Sequence, residues 1–154
     1  MDRLSVVSWV LVLGGIMVGC GTSSPRTRIV PKSQKVVTGE VDVAAGQAVN
    51  YRIEIQPEML EPTLTGTFNA RGGTGNDITA AIADDTNYTN WINGHQAEVI
   101  WKAAGQQTAG RFELKLQPGI YFLGISNKFS TVSDKKVELD VNLKYQQKEA
   151  ATGG

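Results

Sequence analysis

Apolar and polar residues along this chain alternate with a period of two rather than 3.6, the mark of strands with one buried face. Val37, Gly39, Val41 and Val43 alternate with polar neighbours before the turn Ala45-Gly46-Gln47. Val49, Tyr51, Ile53 and Ile55 form the next stripe, ended by Pro57 and Pro62. Leu64, Gly66, Phe68 and Ala70 follow, then the glycine turn Gly72-Gly73-Thr74-Gly75. Ile78, Ala80 and Ile82 predict a short strand closed by Asp84-Asp85. Val99 to Lys102 is brief and apolar, and Gly105 to Gly110 is a turn. Phe112, Leu114 and Leu116 alternate up to Gln117-Pro118-Gly119. Ile120 to Ile125 is apolar at every position, which predicts a central strand covered on both sides. Val137, Leu139, Val141, Leu143 and Tyr145 give the cleanest alternation. Thr86 to Gln96 reads as a polar loop, and Glu58-Met59-Leu60-Glu61 as a single helical turn between prolines.

Seven to eight short strands at this spacing predict an all-β fold, an antiparallel β-sandwich or jelly roll. The strands follow one another too closely for crossover helices, which excludes a parallel α/β sheet. The pattern marks one domain over residues 36–145. Residues 20–35, rich in Ser, Thr, Pro and basic side chains, read as a flexible tether. Residues 146–154 read as a frayed tail.

Ahead of the tether, Asp2 and Arg3 make a short polar start and the chain is mostly apolar from Leu4 to Val18. That is the layout of a secretory signal over residues 1–19, too short for the roughly 20 apolar residues that span a bilayer. The segment ends in Met17-Val18-Gly19-Cys20, and Cys20 is the single cysteine of the chain. This tetrapeptide resembles the lipobox of bacterial lipoproteins. The resemblance implies cleavage between Gly19 and Cys20, a diacylglyceryl thioether on Cys20, and an acyl group such as palmitate on the new amine. The membrane is then a partner through lipid, with more than one chain needed for stable anchoring. Gly21, rather than Asp, follows the cysteine. In a Gram-negative host that implies the outer membrane, with the domain facing the periplasm or the cell surface.

Fifteen basic and fifteen acidic residues leave the chain neutral, with no basic run along the sequence. Nucleic acid is therefore not an expected partner, because that affinity is mostly electrostatic. The one histidine, His95, sits beside Asn93-Gly94 in a polar stretch and reads as a surface residue. With a single His and a lipidated thiol, neither a His-based metal site nor a nucleophile–histidine pair is expected. Glu54, Glu98 and Glu113 fall on the polar phase of their strands, which argues against facing carboxylates. No cofactor and no metal are expected. The weak exception is calcium on Asp84, Asp85 and Asn87, residue types that equally suit a turn. Trp101 reads as core. Tyr88 and Trp91 in the polar stretch, and Phe129 in the last loop, are the candidate binding residues, Phe129 also being placed to fold back on the core.

Two segments carry a further likeness: Gly72-Gly73-Thr74-Gly75-Asn76-Asp77-Ile78, and Pro118-Gly119-Ile120-Tyr121-Phe122-Leu123 continuing through Asn127-Lys128-Phe129-Ser130 to Ser133-Asp134-Lys135-Lys136-Val137. They resemble the bacterial relatives of the GOLD (Golgi dynamics) domain. The likeness implies a β-sandwich that acts in protein–protein interaction, without enzymatic activity. The function expected is a non-catalytic, lipid-anchored protein-interaction module of the cell envelope. The alternative is a module for carbohydrate or another envelope polymer, and a hydrolase ranks below both.

Overall fold

A computed structural model describes residues 26–73 and 75–151. The expected signal segment, Gly19 and Cys20 lie outside the described residues. Eight strands and one short helix follow in order: β1 Thr27–Val43, β2 Ala48–Ile55, β3 Leu60–Arg71, β4 Thr79–Asp84, α1 Asp85–Ile92, β5 Trp101–Lys102, β6 Ala109–Lys115, β7 Gly119–Ser126 and β8 Lys135–Ala150. They form two antiparallel four-stranded sheets, β1-β8-β3-β6 and β2-β7-β4-β5. The first strand pairs with the last, the second with the seventh, the third with the sixth and the fourth with the fifth. That is a folded-over ribbon, the strand order of a jelly roll.

The two inner faces make one core. Leu64, Phe68, Ala70, Phe112, Val137, Leu139, Val141 and Leu143 come from the first sheet, with Leu116 just past β6, and Ile53, Ile55, Ala80, Ile82, Leu123 and Ile125 from the second. These residues are the odd or even phase of their strands, as period two requires. Trp101 closes the side of the core, half-buried between Phe112 at 4.9 Å and Phe68 at 6.5 Å between ring centroids. As its pattern predicts, β7 runs centrally between β2 and β4, and Leu123 to Asn127 are buried.

The structure departs from the sequence reading at both ends of the domain. The expected tether is strand from Thr27, and the expected tail is strand to Ala150. The two pair from Thr27↔Ala150 inward, so the domain spans both. Neither segment announces a strand alone, because past the end of the core neither face is buried. Main-chain hydrogen bonds of the ladder form whatever the side chains are. A register shift between Lys35 and Val37 also breaks the alternation. Elsewhere, Glu58–Glu61 is no helical turn: Pro57-Glu58 turn the chain and β3 has begun at Leu60. The loop expected over 86–96 is instead largely α1.

Candidate functional site

Helix α1 lies on the outer face of the second sheet, and Asp84 starts it. One Asp84 carboxylate oxygen accepts from the Asn87 backbone N–H at 2.9 Å and the other from the Asn87 side-chain amide at 2.9 Å. These bonds, the backbone one first, hold the Asp84 carboxyl below its ordinary range. The Asn87 Oδ1 in turn accepts from the Glu98 backbone N–H at 2.9 Å. The oxygens weighed for calcium on Asp84 and Asn87 thus serve a helix cap, and Asp85 begins the first turn.

From that start, Tyr88 and Trp91 fall one turn apart on one side of α1 and point at β7. Tyr88 stacks on Phe122 with centroids 5.4 Å apart and planes at 27°, and lies 6.1 Å from Trp91. Both rings rest on Gly124, where an added Cβ would meet each of them at 2.6 Å. Any side chain at 124 would lift the helix. Tyr88 and Trp91 therefore dock α1, yet each stays half-buried with one edge toward solvent.

At the far end of the same helix, Trp91, Ile92 and Asn93 meet the β7–β8 loop. With Ser126, Lys128 and Phe129 they line an open pocket of about 420 Å³. The Lys128 ammonium donates to the Ile92 carbonyl at 2.7 Å and ties loop to helix. Phe129 does not plug the core; it is 39% exposed, and Val132 on the same loop is 88% exposed. Trp91 and Phe129, read separately from sequence, thus share one pocket, and Tyr88 supports it from behind. His95 is exposed just past α1, with its backbone N–H on the Asn90 carbonyl. Glu54, Glu98 and Glu113 are exposed.

The base of that loop holds the least expected polar group. Lys135 is 3% exposed, and its ammonium donates to the Gly72 carbonyl at 2.9 Å and the Asp77 carboxylate at 3.3 Å. Gly73 must lack a side chain there, since a Cβ would meet Ser133 at 2.6 Å and the Lys135 ammonium at 3.0 Å. Asn76, at φ 49°, accepts from the Gly72 backbone N–H at 2.7 Å. Asn127 is fully buried, and its amide donates to the carbonyls of Val43, Ala44 and Ser133 at 3.1, 3.3 and 2.8 Å. The glycine turn and the β7–β8 segment, distant in sequence, are therefore one polar joint under the exposed loop. Sequence reasoning missed the burial of Lys135; its place on the inward phase with Val137 and Leu139 was the available signal.

The remaining shifted groups are surface pairs or a half-buried phenol. Arg52 and Gln56 hydrogen-bond Glu54 and lower its carboxyl, Lys32 lowers Glu149, Asp42 and Glu40 raise Lys136, and burial raises Tyr51. Among the described residues no three His, Cys, Asp or Glu side chains gather as a metal site would require. No family model matches the chain, and no curated protein compared with it is similar.

Proposed function

We propose that this chain is a lipid-anchored lipoprotein of the bacterial envelope whose jelly roll is a non-catalytic protein-interaction module. The observation that supports this most is the separation of its two ends. Strand β8 runs 16 residues, about 50 Å at the rise of a strand, from Lys135 beneath the Phe129–Val132 loop to Ala150. Ala150 pairs with Thr27, a few residues from Cys20. A lipid on Cys20 holds the β1–β8 end at the bilayer and leaves the pocket of Trp91, Ile92 and Phe129 reaching away from it. Half-buried aromatics beside exposed apolar loop residues are the composition of protein contact surfaces. The outer membrane, in a Gram-negative cell, is the site proposed from Gly21.

Replacing Cys20 tests the anchor. Cys20→Ser should abolish metabolic labelling with palmitate and release the protein into the soluble envelope fraction. Labelling that persists in the variant would refute the lipoprotein reading.

A second reading, a module for carbohydrate or another envelope polymer, has one observation behind it. An open groove of about 600 Å³ crosses the outer face of the first sheet, lined by polar residues that include Ser33, Thr63, Thr65, Lys144 and Gln146. Among the described residues one aromatic, Tyr145, reaches it, whereas sugar rings are usually held on aromatic faces. Retention of the protein on isolated envelope glycan, lost on Thr65→Trp, would favour this reading.

A further inference from the structure

The chain is neutral as a whole, but folding separates its charge. Along the outer half of the β1–β8 ribbon, residues 26–35 against 142–150, pairing gathers Arg26, Arg28, Lys32, Lys35, Lys144 and Lys148, with Glu149 as the single acid of that half. That is six bases against one acid, which leaves nine bases and fourteen acids in the rest of the chain. The ribbon outruns the sandwich. β3 accompanies β8 as far as Gln146, and beyond it Thr27–Val30 pair with Gln147–Ala150 alone.

Charge crowds this free end on both faces. Arg28 and Lys32 share a face with Glu149, which they pair with at 3.5 and 2.5 Å. Lys148 lies on the other face opposite Ile29, which is 58% exposed. Arg26 closes the end by accepting a backbone bond from Ala151 at 2.7 Å. Arg26, Arg28 and Lys148 all fall within about 10 Å of the tip at the rise of a strand, the reach of an unscreened charge at physiological salt. An apolar side chain among bases at a blunt end matches a bilayer surface: apolar between headgroups, cations on phosphates.

We propose that the tip of the β1–β8 ribbon is a headgroup-binding foot. In it Arg26, Arg28 and Lys148 engage the phosphates of anionic phospholipid and Ile29 sits between headgroups. This deepens the lipoprotein reading: five residues lie between Cys20 and Arg26, a span of at most about 20 Å of chain, so a lipid on Cys20 keeps the foot at the surface. The foot in turn holds the long axis of the jelly roll off the membrane and fixes which end points away. The paired ribbon does this where a free linker would let the domain tumble.

The test uses the full chain carrying Cys20→Ser, so that it is independent of acylation. Cosedimentation is compared on vesicles of phosphatidylcholine alone and of phosphatidylcholine with phosphatidylglycerol, and the ratio of the two cancels any contribution common to both. Binding should favour the anionic vesicles. The preference should fall about fivefold for each base removed, and so at least tenfold in Arg28→Gln/Lys148→Gln. It should vanish at salt that shortens the Debye length to about 3 Å. A matched control, Arg52→Gln/Lys102→Gln on the second sheet, should keep the preference. Equal binding to both vesicles, or an equal loss in the control, would overturn the proposal. Palmitate labelling of the unaltered chain separately decides the lipoprotein reading, so the two can fail independently.

Discussion

Removing the Asp77 carboxylate should be among the most damaging single changes in the domain. Asp77 is 22% exposed by its side chain, whereas Lys135 is 3% exposed and, among the described residues, has the Gly72 carbonyl and the Asp77 carboxylate as its partners. Asp77→Ala leaves a buried ammonium with one neutral acceptor. Breaking a buried pair this way costs about 3–5 kcal/mol, and the partial hydration of Asp77 places this one near about 3 kcal/mol. For a domain of this size that is a fall in Tm of roughly 10 °C by calorimetry. Lys135→Met keeps most of the stem volume, lets Asp77 hydrate and strands only a carbonyl, for about 1–2 kcal/mol. The double variant should therefore cost less than the two singles together, with a coupling above about 0.5 kcal/mol. Strict additivity, or a Tm for Asp77→Ala within about 2 °C of the parent, would refute the reasoning that a buried charge joins the glycine turn to the last loop.

Other changes probe the helix and the joint. Gly124→Val should displace α1, quenching differences in Trp91 fluorescence between folded and unfolded states, because a Cβ there would meet both aromatic rings at 2.6 Å; an unchanged emission maximum would contradict the docking geometry. Asn127→Asp should destabilise by more than about 3 kcal/mol in urea unfolding, since a buried carboxylate would face three carbonyls; Asn127→Ala should cost less. Asp84→Ala should cost about 1 kcal/mol at neutral pH as a lost N-cap. Its folded carboxyl titrates below the ordinary aspartate range, so the cap contributes in full above about pH 4 and is lost as pH falls through the folded value. The Tm gap between Asp84→Ala and the parent should close in acid; a gap that widens would have the wrong sign.

The sandwich was legible because its strands have one wet and one dry face, so period two appears directly in Leu64 to Ala70 and Val137 to Leu143. The strand order was not legible, since pairing is decided by contacts far apart in sequence. The ends were misread for a related reason. Thr27 to Lys35 and Gln146 to Ala150 leave the core behind, so their alternation disappears although their ladder does not. For the same reason the basic ribbon was invisible: its six charges are divided between two ends of the chain. Helix α1 was hidden by its polar composition and is recognisable mainly by Asp84 at its cap and by Tyr88 and Trp91 one turn apart. The sharing of one pocket by Trp91 and Phe129 required the helix to turn back along β7.

Photo-crosslinking from position 132 in the intact envelope tests the central claim most directly. A photoreactive residue in place of Val132, in the full chain with Cys20 unaltered, should give a discrete adduct that weakens at least fivefold with Trp91→Ala. The same probe in place of Thr65, on the opposite sheet, should give none. No adduct at 132, or the same adduct from both positions, would contradict a protein-binding face at the Trp91–Phe129 end.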